Sequence, residues 1–253
     1  MEALIPWNDF YLKCPQITLT DSNGRYCSEP YLNVCQKCIS LRNHNGVINI
    51  EHWIKKNQTF LSNAKDVITP SYSTKSHMIK TFPRINFNIK PHEVLTFSKS
   101  RRIPYNFNKI RIGIIGALSK EKGFDLLETM INYTHDNNLS YEFILFGNSY
   151  REPILKDHTI YTCTGPYSDD EVSRLFNIHK PHLFWFPACW PETYSYTFSH
   201  VISNGFPVIY PDIGAFKERA NINIPNKIIP WDSSPDVIHR ELDSFIAKIS
   251  NNN

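Results

Sequence analysis

Two groups of residues in this chain of 253 have types and spacings that can do chemistry. The first lies in the stretch 184–219, FWFPACWPETYSYTFSHVISNGFPVIYPDIGAFKER. An apolar run over 183–186 reads as a fully covered parallel strand, and Pro187 and Pro191 stop it. The carboxylate of Glu192 follows, at the edge where open parallel sheets take up ligands. Apolar or aromatic side chains at 194, 198, 201 and 202 then predict a helix over 193–204, with Gly205 as its stop. A helix that starts beside Glu192 turns its free N–H groups toward a place that suits a phosphate. Upstream, the apolar run KIRIGII ends at Gly116, and the loop after it carries Lys120, Lys122 and Gly123 before a helical pattern resumes. Ammonium groups on flexible stems are mobile phosphate partners. The spacing G-x6-G is not the dinucleotide fingerprint, which argues against a nicotinamide enzyme. Gly214 follows the strand pattern at 208–210, again at the ligand edge, and allows close backbone approach.

The second group is Cys14, Cys27, Cys35 and Cys38, spaced C-x12-C-x7-C-x2-C, while Cys163 and Cys189 stand apart. The final C-x2-C places two sulfurs on one tight turn, and four thiolates make a closed tetrahedral zinc site with no open position for chemistry. In a cytosolic chain such a cluster reads as metal ligands before it reads as disulfides. Unligated thiols in a small core and an iron–sulfur cluster are the alternatives.

The run PETYSYTF, with SNGFPVI and DIGAFKER after it, resembles the donor-binding core of family-4 retaining glycosyltransferases. Their fold, GT-B, has two facing Rossmann-like domains. The resemblance implies an α/β, GT-B-like chain: a C-terminal Rossmann-like parallel-sheet domain and a partial N-terminal α/β domain with a small cysteine-rich insertion. In that family a Glu opens the helix near the donor sugar, and a second Glu eight residues later lies near the ribose. Here the first is Glu192 and the second position holds His200, whose neutral imidazole can accept a ribose hydroxyl. Lys122 matches a family Lys that faces the donor pyrophosphate. Ala117 stands where the family has an Arg, and Lys120 is the nearby substitute. Gly116, Gly123, Thr193, Tyr194 and Gly214 complete the implied donor side.

The text NDFYLKCPQITLTDSNGRYCSEP is similar to a cysteine-bearing insertion in a subset that serves bacterial polysaccharide synthesis, where HDxY opens the segment. That implies an acceptor-side role for Asn8 and Asp9, although Asn8 cannot act as a general base near neutral pH. Transferases of this type are thought to let the leaving phosphate take the acceptor proton. The text AKDVITPSYSTKSHMIKTFP is similar to the last strand-and-helix unit of a GT-B N-terminal domain, which would turn Ser71, Tyr72 and Lys75 toward its cleft; the residues themselves read first as a helix start capped by Ser71 and Ser73. The implied reaction is transfer of a sugar, with retention, from a nucleotide-diphosphate sugar to a saccharide or lipid-linked saccharide in surface polysaccharide synthesis. No catalytic metal is implied. The alternative is a non-catalytic nucleotide-sugar-binding or scaffold subunit.

The elements that must position these residues follow from pattern. Residues 1–39 show turn chemistry and little period. Helices are expected from Asn49 to about 61 and from Ser71 through 82, with a strand over 66–69 between them. Residues 86–108 hold basic residues and prolines without a period and read as a linker. Beyond it, strands at 109–115, 142–146, 159–163, 183–186, 208–210 and 227–230 alternate with helices, the pattern of a doubly wound parallel sheet. A capping box joins Ser168 to Glu171, and Ser234 with Pro235 opens the last helix. The expected domains are 1–108 and 109–253, with the cysteine-rich segment at 14–38. Measured against a GT-B N-terminal domain, several βα units are expected to be absent here, which leaves three readings: a truncated chain, a degenerate gene product, or a minimal subunit completed by a partner chain.

Composition limits the rest. With 41 % apolar and 13 % aromatic residues the chain can fill a packed core, and a net charge of +3 does not call for nucleic acid. No apolar run is long enough to span a bilayer, and the opening residues do not read as a signal peptide. A cytoplasmic location is expected, with at most peripheral contact at the inner membrane face.

Overall fold

The computed structural model describes residues 4–6, 9–42, 46, 49–93, 95–96, 98–99, 101, 109–220 and 223–251. In chain order the elements are β1 (Leu4–Pro6), α1 (Leu32–Arg42), α2 (Ile50–Ser62), β2 (Asp66–Thr69), α3 (Tyr72–Thr81) and β3 (Phe87–Ile89). They continue with β4 (Ile110–Leu118), α4 (Phe124–Asp136), β5 (Tyr141–Ser149), β6 (Tyr161–Cys163), α5 (Val172–His179) and β7 (Leu183–Trp185). The last are α6 (Tyr196–Ser203), β8 (Val208–Pro211), α7 (Phe216–Arg219), β9 (Asn226–Ile229) and α8 (Pro235–Asn251). They form two compact units. The first comprises Met1–Val94, Trp190–Ser195 and Ile213–Arg219; the second comprises Leu95–Cys189, Tyr196–Asp212 and Ala220–Asn253.

In the first unit β1, β2 and β3 form a parallel sheet in that order. Asn49 caps α2 by accepting from the His52 N–H at 2.8 Å, and Ser71 caps α3 by accepting from the Thr74 N–H at 3.1 Å. Helix α2 also orders the aperiodic segment before it. Its Trp53 Nε1 donates to the Tyr11 carbonyl at 3.1 Å and its Asn57 Nδ2 to the Leu12 carbonyl at 2.8 Å, so these turn carbonyls are satisfied without a ladder. Two of the elements that differ from expectation have a plain reason. Helix α1 lies in a segment read as irregular, because it has no apolar stripe: Ile39 is its one fully buried residue, while Leu32, Val34 and Leu41 are exposed. Strand β3 lies inside the segment read as a linker, and three residues are too few to show a period.

The second unit is a six-stranded parallel sheet in the order β6-β5-β4-β7-β8-β9. Counted within the unit, this is the doubly wound order 3-2-1-4-5-6, and the direction of winding reverses between β4 and β7. One face packs Ile112, Phe143, Leu145, Trp185 and Ile209 against Leu127 and Met130 of α4 and Leu242 and Phe245 of α8. Elsewhere in the unit Phe146, Phe176, Phe184 and Phe206 meet ring to ring, with centroids 4.8–5.6 Å apart. The capping box is present: Ser168 N donates to Glu171 Oε2 at 3.0 Å, and a 3-10 turn at Asp169–Glu171 leads into α5. Strands β4 and β5 run past their expected ends because Gly116 and Gly147 pair in register and carry the ladder to Leu118 and Ser149. Helix α6 starts at Tyr196 rather than at 193, since Ser195 takes a left-handed conformation (φ +66°) that no helix continues through. No helix among the described residues is long and apolar enough to cross a membrane.

Candidate functional site

The donor-side residues expected from sequence fall in both units. Gly116, Lys120, Lys122, Gly123 and His200 lie in the second; Glu192, Thr193, Tyr194 and Gly214 lie in the first.

In the second unit, the loops after β4 and β7 flank the point where the strand order reverses, the place where such sheets open a ligand crevice. They are joined to each other. The Cys189 N–H donates to the Glu121 carbonyl at 2.8 Å, and Gly123 packs so closely that a Cβ there would lie 1.9 Å from the Pro187 oxygen. Gly123 is also left-handed (φ +86°) and opens α4. This junction sets the course of the loop that holds both lysines. Lys122 is half-buried, with its N–H donating to Ser119 Oγ at 3.3 Å, and Lys120 and Ala117 are exposed. On α6, His200 Nε2 sits 3.2 Å from Asp169 Oδ1. The imidazole expected to meet a ribose therefore faces a carboxylate that is 89 % exposed.

In the first unit, Glu192 is held at backbone and side chain. Its N–H donates to the Trp190 carbonyl at 3.0 Å, its carbonyl accepts from Ala215 N at 2.8 Å, and Trp190 Nε1 donates to its Oε1 at 3.2 Å. Gly214 makes the approach possible, because a Cβ there would lie 2.5 Å from the Glu192 nitrogen. Since α6 starts at Tyr196, Thr193 and Tyr194 belong to a loop, which corrects the helix start expected at 193. The Thr193 carbonyl accepts from Thr74 Oγ1 at 3.3 Å. Tyr194 is buried, its hydroxyl donates to the Glu93 carbonyl at 3.4 Å, and the edge of His92 meets its ring.

Two charged neighbours of these residues escaped the sequence reading. Glu218 spreads its carboxylate over the first amides of α3, accepting from Tyr72 N at 2.7 Å and Ser73 N at 2.9 Å. An anion is favoured there by the helix dipole. Arg219 lies over the Tyr194 ring, 3.6 Å from its centroid, and donates to the Tyr194 and Ser195 carbonyls. Its Nη2 is 3.5 Å from Glu93 Oε1. The adjacent opposite charges of the FKER run are the one local sign of this arrangement.

The cysteine-rich segment also belongs to the first unit. Cys14, Cys27 and Cys35 line a cavity of about 340 Å3 together with Lys13, Glu29 and Lys80. Glu29, whose side chain is buried, gathers several partners: Lys13 pairs with it, Lys80 Nζ lies at 2.9 Å, His77 Nδ1 at 2.5 Å, and the Tyr26 hydroxyl donates to it at 3.0 Å. Burial pushes the Cys14 thiol up to about 12 and Cys27 up to about 11, and neighbouring cysteines add to both shifts. Cys38 Sγ stands 4.0 Å from Gln16 Nε2. Among the described residues no group of three or more His, Cys, Asp or Glu is arranged to hold a metal ion. Asp9 Oδ1 accepts from Tyr11 N at 2.8 Å, a local turn contact, and Asn8 lies outside the described residues.

No protein-family model matches this sequence, and no curated protein matches it. Solved structures do share its fold. TarM superposes with a TM-score of 0.54 at 15 % identity, over 83 % of this chain and 41 % of TarM. The lipopolysaccharide outer core galactosyltransferase WaaB gives 0.59 at 12 % identity, over 77 % of this chain and 56 % of its own. HepE of Anabaena, in complex with UDP-glucose, gives 0.54 at 13 % identity, over 87 % of this chain and 69 % of HepE. The chain thus spans about two fifths of TarM and just over half of WaaB. Two parallel α/β sheets, the larger in doubly wound order, and these neighbours agree: the chain has the fold of the GT-B glycosyltransferases.

Proposed function

We propose that this chain binds a nucleotide-diphosphate sugar and transfers its glycosyl group, with retention, to a saccharide or lipid-linked saccharide. The observation that carries the reading is the reversal of strand order between β4 and β7, flanked by a glycine-built loop that presents Lys122. The neighbours support the donor class: HepE is complexed with UDP-glucose, and the pneumococcal O-GlcNAc transferase GtfA with UDP and GlcNAc. In this reading Lys122, assisted by Lys120, neutralises the diphosphate as it leaves, and fixed positive charge at a departing anion lowers the barrier without metal. Glu192 orients the donor sugar. The C1–O bond to the diphosphate breaks while the acceptor oxygen bonds C1 on the same face, and the departing phosphate oxygen takes the acceptor proton. A role in surface polysaccharide synthesis, a cytoplasmic location and at most peripheral contact at the inner membrane face belong to the same proposal.

Calorimetry with UDP and GDP tests it. UDP is expected to bind, and Lys122→Met to weaken it about tenfold, the equivalent of ~1.4 kcal/mol. Binding of neither nucleotide would refute the reading. A non-catalytic nucleotide-sugar-binding or scaffold subunit, completed by a partner chain, is the second reading. It draws on the exposed Ala117 in place of a phosphate-facing Arg and on the pairing of His200 with Asp169. Nucleotide binding without transfer to any acceptor in a radiolabel assay would favour it.

Structural zinc at Cys14, Cys27, Cys35 and Cys38 is a separate proposal. It requires the sulfurs to close across the cavity that three of them line. Chelator-free protein should then carry about one zinc per chain and lose it in the Cys35→Ser/Cys38→Ser double variant. Metal-free protein of unchanged stability would end this idea.

A further inference from the structure

We propose that Arg219 is a positioning residue, the clamp that sets the backbone of the loop carrying Glu192; this rests on the reading of Glu192 as the donor-sugar residue. The loop needs an outside support. Residues 192–195 precede α6 without being part of it, and Ser195 is left-handed (φ +66°), a conformation unfavourable for a non-glycine residue. Backbone polar groups of a turn are paired by contacts other than a helix or sheet ladder.

Arg219 makes such contacts. Its side chain is 8 % exposed, and its Nη1 donates to two consecutive carbonyls, Tyr194 and Ser195, the latter at 2.7 Å. The guanidinium carbon lies over the Tyr194 ring, 3.6 Å from the centroid, and the Glu93 carboxylate at 3.5 Å offsets its charge. A planar, five-donor cation can stack and bond in-plane at once, which an ammonium cannot. The clamp is itself anchored. The preceding residue, Glu218, is bonded to two backbone amides at the start of α3, and Tyr194 is tied by its hydroxyl to the backbone of Glu93. Upstream on the same segment, Ala215 N holds the Glu192 carbonyl at 2.8 Å, with Gly214 packed on the Glu192 backbone. Segment 213–219 therefore grips the loop at both ends, at Glu192 and at Tyr194–Ser195, and leaves the carboxylate little freedom to shift.

The test compares Arg219→Met, Arg219→Lys and the exposed control Lys217→Met. Hydrogen exchange of the amides at 193–197 is expected to rise in Arg219→Met, less in Arg219→Lys and not in the control. Affinity is measured for UDP and for the better bound of UDP-glucose and UDP-N-acetylglucosamine. Since a misplaced carboxylate affects the sugar and not the nucleotide, sugar-nucleotide affinity should fall about tenfold or more, while UDP affinity stays within about twofold. Equal losses for both ligands, or no loss for either, overturns the inference while nucleotide binding by the wild type still upholds the donor reading. If the wild type binds neither ligand, the donor reading fails and this role fails with it. If Arg219→Met does not fold, Arg219→Lys carries the same comparison.

Discussion

Gly123→Ala is expected to lower stability by more than about 4 kcal/mol, a loss reserved for named structural faults. The backbone there is left-handed (φ +86°), which by itself costs an alanine about 1–2 kcal/mol. The larger part comes from space. The new Cβ would lie 1.9 Å from the Pro187 oxygen and 2.5 Å from its carbonyl carbon, and both are backbone atoms with no rotamer to yield. Relief requires the loops after β4 and β7 to part, which breaks the Cys189–Glu121 hydrogen bond and unseats the start of α4. Gly165 is the natural control: its φ of +80° is nearly the same, yet a Cβ there meets nothing within 4 Å. Gly165→Ala should therefore show only the backbone strain. Guanidinium denaturation of both variants separates the two terms, and similar losses for the pair would refute the steric account.

Glu192→Gln is expected to reduce glycosyl transfer about 10²–10³-fold, the range found when one fixed electrostatic contact to a developing charge is removed. The substitution keeps shape and keeps an oxygen that can accept from Trp190 Nε1, now at 3.2 Å, so the loop should hold its course. In the proposed reading, what is lost is the negative charge beside the sugar ring as positive character grows at its anomeric carbon. The effect should then fall on kcat, with UDP affinity changed by less than about threefold, since that reading gives this carboxylate to the sugar and not to the nucleotide. Turnover equal to wild type would remove Glu192 from the reaction.

Much of the second unit can be read from local pattern. Apolar runs marked β4, β5, β7 and β8, the stripe Ile238, Leu242 and Phe245 marked α8, and caps at Asn49, Ser71 and Ser168 appear where the residues promise them. These features depend on interactions within a few residues, so composition and period suffice. Helix α1 and strand β3 did not show, the first for lack of an apolar stripe and the second for its three-residue length.

What the sequence by itself determined was the kind of chain: alternating strands and helices, a lysine-and-glycine loop, an acidic residue between a strand and a helix, and a cluster of thiols. Tertiary structure alone decided the order of the strands, and with it the reversal between β4 and β7. It also decided where α6 begins. Propensity runs unbroken from 193 into the helix, but Arg219, 24 and 25 positions on, holds the Ser195 and Tyr194 carbonyls in a turn instead. Glu218 reaches amides 146 and 145 positions away, and Asp169 meets His200 across 31. Such pairings depend on which surfaces the packed sheets and helices bring together, and no window along the chain contains both partners.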